Sequence, residues 1–436
     1  MRTYLWPGVS WGLLAVVAAL PTAAAPWPSW RGPTQDQVAA DGAYPLHWSW
    51  AKDGSRNVAW RVELPEPGNS SPVAWGDRVF VTQAVEDGRR RTVMCLDRAG
   101  GRVLWQQGVE FAGADPRHKT NPHCAASPVT DGERVVASFA SAGIVAWDFS
   151  GRELWRADLG PQRHEWGQGS SPVIHGDLVI VYHGPGPDSA LHGLDKRTGA
   201  RRWSVPLKEQ HPPERFDGFA GKSDGMIGTF STPLVVRAGG REQVVVPAAN
   251  QLRAFAPDDG RALWTCDGMN PLVYSSPSFG EGLVVALGGF FGSAIHLRPE
   301  GTGDLTTRRV HYTQRLKKHC IGSPVILGGH YYVSTTDGFG QCVELASGRV
   351  VWEERLPSSG ASGQTWGSMV RVGDRLYTVN QSGDTLVLRA GTKFEMLATN
   401  RVGELSNSTP AFSDGQVFLR TQAALYCLAE AKDAAR

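Results

Sequence analysis

Runs of alternating apolar and polar residues recur along the chain, broken by turn pairs such as Gly76-Asp77, Asp131-Gly132, Gly176-Asp177, Gly373-Asp374 and Asp414-Gly415. A period of two marks strands with one buried face, and a Gly-Asp or Asp-Gly pair between two such runs marks a hairpin. One signature opens each group of strands: small polar residues, a proline, then the alternating run. It reads Ser70-Ser71-Pro72-Val73, Ser127-Pro128-Val129, Ser170-Ser171-Pro172-Val173, Ser231-Thr232-Pro233-Leu234, Ser275-Ser276-Pro277, Ser323-Pro324-Val325, Ser368-Met369-Val370 and Ser408-Thr409-Pro410. These eight copies lie 41 to 61 residues apart, a period that suits one four-stranded blade per copy.

A second signature closes most units: an apolar strand, a turn ending in Gly, three residues, then Trp. It appears as Gly101 with Trp105, Gly151 with Trp155, Gly199 with Trp203, Gly260 with Trp264 and Gly348 with Trp352. The fifth and seventh units lack the Trp, and the eighth breaks off after Leu425-Tyr426-Cys427-Leu428 without a closing strand. Asn57-Val58-Ala59-Trp60-Arg61-Val62 reads as that missing strand. The pattern therefore predicts an all-β, eight-bladed β-propeller of four-stranded antiparallel blades, closed by an N-terminal strand so that no sheet edge is left free. Trp60, Trp105, Trp155, Trp203, Trp264 and Trp352 are expected to dock neighbouring sheets, each ring burying on the order of 150–250 Å².

Composition agrees: 52 Gly, 28 Pro and 16 Trp in 436 residues of which 20% are charged suit short strands and tight turns. The net charge is +2 with the basic residues scattered, so nucleic acid is not an expected partner. Arg2, the apolar run at 12–20 and the small residues 22–25 read as a signal peptide cleaved after Ala24 or Ala25. The run is well short of the ~20 residues of a bilayer span, and no Cys follows it to carry a lipid. The expected organisation is a signal peptide (1–25), an N-terminal arm (26–54), the propeller (55–430) and a polar tail (431–436), exported to the periplasm or beyond. Cys95, Cys124, Cys266, Cys320, Cys342 and Cys427 are widely spaced and expected mostly as buried thiols, with Cys320 to Cys342 the one pair considered for a bridge. Without a Cys-x-x-Cys-His there is no c-type haem site.

The Pro strand and the Gly-x-x-x-Trp closure together resemble the superfamily of pyrroloquinoline-quinone (PQQ) repeat propellers over roughly residues 55 to 430. That superfamily places an Asp eight residues before the Trp, as Asp97 and Asp195 are here; Asp148 stands seven before, and Ala256 and Glu344 replace it elsewhere. The start Trp27-Pro28-Ser29-Trp30-Arg31-Gly32-Pro33, with Asn121-Pro122-His123-Cys124, Leu272-Val273-Tyr274 and Gly288-Gly289-Phe290-Phe291-Gly292, is similar to uncharacterised exported bacterial proteins of planctomycete type. The resemblance implies fold and export, and no set reaction. Among its members are quinoprotein dehydrogenases, which hold PQQ and Ca²⁺ on the axis, and the scaffold lipoprotein of outer-membrane β-barrel assembly. Adjacent cysteines and a Ca²⁺-binding set of Glu, Asn and Asp, implied for the dehydrogenases, are missing here. The expected role is a non-catalytic binding or protein-interaction scaffold in the cell envelope with no cofactor, taking a protein or small-molecule ligand; a PQQ-dependent dehydrogenase or another small-ligand enzyme is the alternative.

Long loops from each docking Trp to the next Pro strand share one face of such a ring, where function usually resides. They carry the candidate ligand or partner residues His123, Cys124, His164, Glu165, Trp166, Lys222, Asp224, Tyr274, His319, Cys320 and Trp366. His123 and His319 both stand five residues before their Pro, in blades two and six, and are expected to face each other across the axis. Imidazole and thiolate suit zinc or copper, but opposite walls are too far apart for bonds of ~2.0–2.3 Å, so no metal site is expected. Trp166 and Trp366, in blades three and seven, offer rings for a sugar, a quinone or a partner side chain. The 288–292 glycine run is expected to be a strand turn, and no Gly-x-Ser-x-Gly nucleophile occurs.

Overall fold

Each blade is built in chain order from the axis outward, so every proline signature opens an innermost strand. The computed structural model describes Met1 and residues 25–186, 188–209, 211–212, 214–219 and 226–431. The first blade runs through Val73–Trp75, Arg78–Val85, Arg90–Asp97 and Val103–Glu110, all antiparallel. The inner strands that follow are Val129–Thr130, Val173–His175, Leu234–Ala238, Ser278–Gly280, Val325–Leu327, Val370–Val372 and Ala411–Ser413. The eighth blade has three strands of its own, and Val58–Glu63 supplies the fourth, antiparallel to Ala424–Leu428 with Trp60 opposite Cys427. Helix is confined, among the described residues, to two short turns, Ala140–Ala142 and Thr306–Arg308. All six cysteines are free and buried, Cys320 and Cys342 included.

At the perimeter, the indole N–H of Trp60, Trp105, Trp155, Trp203 and Trp352 donates to a turn carbonyl of the next blade, at Arg98, Phe149, Lys196, Pro257 and Gly391, over 2.8–3.0 Å. The glycine of the closing signature lies under the previous blade's ring. A Cβ on Gly101 would come within 2.8 Å of Trp60, and one on Gly151 within 2.9 Å of Trp105. Both glycines also hold φ of +75° and +90°, a region other residues enter at a cost. Trp264 differs: its N–H turns to Gln243 of its own blade, and Gly303–Asp304 pairs along its strand as a fifth. In the two blades without Trp, His311 and Ala398 take the equivalent register position.

At the axis, the residue before each proline, or before Met369, is always Ser or Thr. Its backbone N–H donates to the hydroxyl of its counterpart one blade on: Ser71 to Ser127, Ser171, Thr232, Ser276, Ser323, Ser368, Thr409 and back to Ser71. All eight bonds measure 2.8–3.0 Å. Inner strands of neighbouring blades do not pair by backbone, and the hydroxyls supply acceptors for the N–H groups of these buried residues.

The N-terminal arm fills the channel below this ring. Trp27 bridges Ala74 of blade one, and the Pro28 carbonyl accepts the N–H of Thr130 in blade two at 2.9 Å. At the tip, Trp30 Nε1 donates to Thr232 Oγ1 at 3.2 Å, while the Arg31 guanidinium donates to the Pro277 carbonyl and to Ser278 Oγ. The chain then turns back, and Val38–Ala39 runs parallel to Val370–Val372 of blade seven. Burial lowers the Arg31 pKa to about 10, which leaves the group charged at neutral pH.

Candidate functional site: an axial cavity on the loop face

Above the hydroxyl ring the inner-strand loops enclose a cavity of about 510 Å³, to which all eight blades contribute and of which Trp30 forms the floor. Its two sides differ in chemistry. One is aromatic: Tyr274 stacks on Phe230 at 5.4 Å and 9°, Trp166 meets Phe219 edge-on at 6.0 Å and Tyr274 at 6.2 Å, and Phe290 closes against Phe219. The other face of Trp166 is covered by His118, stacked at 4.9 Å. The opposite side is a relay of amides across blade boundaries. Gln381 donates to Asn407 (2.9 Å), Asn407 to Asn69 (3.3 Å), Asn69 to the Thr120 carbonyl (2.9 Å), and Asn121 to the carbonyls of Trp166 and Gln168 (2.8 Å each).

Two titratable groups of the described lining are already committed. His319 accepts the Phe291 N–H on Nδ1 at 2.9 Å, so its proton sits on Nε2, and desolvation between Phe290 and Phe291 holds its pKa below the ordinary value. Asp337 is the one carboxylate among the described lining residues. Burial works against its charge, but hydrogen bonds from Lys318 at 2.6 Å and Thr335 at 2.6 Å outweigh it and keep the pKa below normal.

Of the candidates read from sequence, Trp166, Tyr274, His319 and Trp366 line the cavity. His123 and Cys124 do not, which corrects the expectation of facing His-Cys pairs. They border a separate small void with Arg91 and Asp115. Cys124 adopts φ +61°, and the His123 ring lies against Gly88 of blade one, where no Cβ fits. Desolvation there lowers the His123 pKa to about 4 and raises that of Cys124 to about 12. Cys320 is buried, its thiol also pushed to about 12. His164 is buried edge-on to Phe230 and accepts the Trp166 N–H, a support behind the wall, and Glu165 is exposed. Lys222 and Asp224 lie outside the described residues, as do 2–24 of the signal peptide and 432–436 of the tail. The 288–292 run is the turn between Leu283–Leu287 and Ala294–Leu297 and carries Phe290 into the cavity.

Sequence reasoning missed Trp30, His118, the amide relay and Phe219, Phe230 and Phe290. The 27–33 motif had singled out Trp30, but only as a family likeness. The lining does not suit PQQ with Ca²⁺. The quinone carries three carboxylates and no Lys or Arg stands among the described lining residues, while Ca²⁺ takes 6–8 oxygen ligands and Asp337 is tied to Lys318. Among the described residues no group of three or more His, Cys, Asp or Glu is placed to share an ion.

Comparison with known proteins places this geometry. The family described as outer membrane protein assembly factor BamB matches residues 51–225 and 248–436. The BamB of Burkholderia pseudomallei is 23% identical over 363 residues, 74% of this chain and 85% of that protein. The serine/threonine-protein kinase AfsK of Streptomyces griseus is 25% identical over 251 residues, 53% of this chain, and the match spans only 28% of the kinase. Quinohemoprotein alcohol dehydrogenase from Comamonas testosteroni shares the fold, with a TM-score of 0.65 at 12% identity over 94% of this chain and 81% of that one.

Proposed function

Because this chain belongs to the outer membrane protein assembly factor BamB family, we propose that it is an exported, non-catalytic propeller that binds a ligand or partner in the cell envelope through its axial cavity. The observation that carries the reading is the commitment of the cavity's described acid–base groups. His319 has its basic nitrogen filled by a backbone N–H, His118 has its Nδ1 paired with the Thr120 hydroxyl at 2.7 Å, and Asp337 is kept a weak base by Lys318. None of the three is poised to take a proton from a substrate, while burial keeps the Tyr274 hydroxyl protonated. What the lining offers instead is shape, aromatic faces and amides, the equipment of recognition. Relatives named for outer membrane assembly and the apolar run at 12–20 support an envelope location; no described helix is long and apolar enough to cross a membrane.

The test is to incubate the purified full chain with PQQ and Ca²⁺ and follow dye reduction with primary alcohols and aldoses. Rates should stay at the protein-free background. Turnover that follows protein concentration and disappears in Trp366→Ala would establish the dehydrogenase reading in place of this one.

A further inference from the structure

Not all the cavity's rings are equivalent. Trp166, Phe219, Phe230, Tyr274 and Phe290 pack on one another. Trp366 and Trp30 line the same space and take part in no ring pair among the described residues. Trp30 is fixed by its bond to Thr232 and by Arg31, 5.6 Å from its ring centroid. The cavity therefore holds two large apolar faces without a ring partner, one in the blade-seven wall and one in the floor. Around them stand Gln364, Asn407, Asn69, Thr120 and Thr336, side chains that exchange hydrogen bonds with hydroxyls in both directions.

The backbone sharpens the ligand class. Every ring N–H at the foot of the cavity is taken by a neighbouring hydroxyl, so no nest of free N–H groups awaits an anion. The described lining has no cation either, and its one charge is the Asp337 carboxylate. Nothing in the described lining would compensate the desolvation of an anionic ligand. An extended peptide would find no open sheet edge, because inner-strand N–H groups at the cavity are committed to the ring. A pyranose matches both surfaces: its axial C–H face lies on an indole, and its equatorial hydroxyls reach amides and the hydroxyl ring. The volume falls within the roughly 300–1,000 Å³ of small-ligand sites and leaves room for a short oligosaccharide.

We propose that the axial cavity is a neutral-oligosaccharide site in which Trp366 stacks on a sugar ring over the Trp30 floor. The proposal rests on the reading of the cavity as a binding site and names its ligand class. It is tested with the full chain by calorimetry and tryptophan fluorescence against cellotetraose, maltotetraose and chitotetraose, with PQQ and a tryptophan-containing hexapeptide as counter-probes. At least one oligosaccharide should bind and quench fluorescence. Trp366→Ala should weaken that binding roughly tenfold, the upper end for a lost stacking contact, Trp366→Phe should retain most of it, and both should melt like the parent. If no oligosaccharide binds at about 10 mM, ten times the weakest useful Kd, the saccharide assignment is wrong. Trp366-dependent binding of PQQ or the peptide alone would keep the cavity as the binding site and replace its ligand class. Binding of any probe that ignores Trp366 would remove both readings.

Discussion

The propeller is held together at two radii, and the two obey different rules. At the perimeter the contact between blades varies: five indoles reach the next blade, Trp264 turns inward, and His311 and Ala398 stand where the others have Trp. At the axis nothing varies, and eight hydroxyls make eight equivalent bonds. Apolar area at the rim is interchangeable, since a missing ring can be offset by neighbouring side chains. A buried N–H has no substitute for its acceptor, and leaving it bare costs about 1–3 kcal/mol.

The contrast can be broken most severely by removing the segment that serves both radii. Deleting residues 26–62 takes away the axial plug and the outer strand of blade eight together, leaving Ala424–Leu428 as a bare edge. Size-exclusion chromatography should show aggregate rather than monomer; a monomer of unchanged melting temperature would mean neither contact matters. A rim lesion is expected to be smaller. Trp203→Ala should lower stability by about 3–5 kcal/mol in denaturant unfolding, since its ring is 8% exposed, and a loss below ~1 kcal/mol would show that the rim does not staple the blades. An axial lesion comes next: Ser276→Ala should cost about 1–3 kcal/mol by orphaning the Thr232 N–H, and Ser276→Thr should restore it, because Thr already serves that position at Thr232 and Thr409. Smallest is His311→Ala, at about 1 kcal/mol or less, because its one side-chain hydrogen bond is local, to Thr313. Equal losses for His311→Ala and Trp203→Ala would erase the distinction drawn at the rim.

The strands and their order were legible because both depend on local pattern: alternation, turn pairs, and a glycine that leaves room for a ring. The missing outer strand was legible from counting, since seven complete blades and a truncated eighth leave one gap to fill. The Ser or Thr before each proline was visible as repetition, but its purpose was not, because a bond between residues about one blade apart in sequence has no linear signature. The cavity lining was legible only in part. Trp166, Tyr274, His319 and Trp366, singled out by loop position, line it, whereas His123 does not, although it shares the offset of His319. An offset fixes distance along the chain, and the left-handed turn at Cys124 sends the ring toward Gly88 instead. Trp30 escaped because its anchor, Thr232, lies 202 positions downstream, and it becomes a floor only once the ring closes around it.

Residues 27 to 63 thus touch the axis and the rim, and their partners include the last strand of the structure: Arg61 bonds Tyr426, 365 positions downstream. Trp27 and Pro28 find partners in the first two blades, whereas Val58–Glu63 has no strand to pair with until Ala424–Leu428 exists. Each blade is local, but the pairing that closes the ring joins early residues to late ones, and long-range closure of this kind is slow. Loss of the final strand would leave Val58–Glu63 without its partner, so completion of the C-terminal blade acts as the latch on the ring.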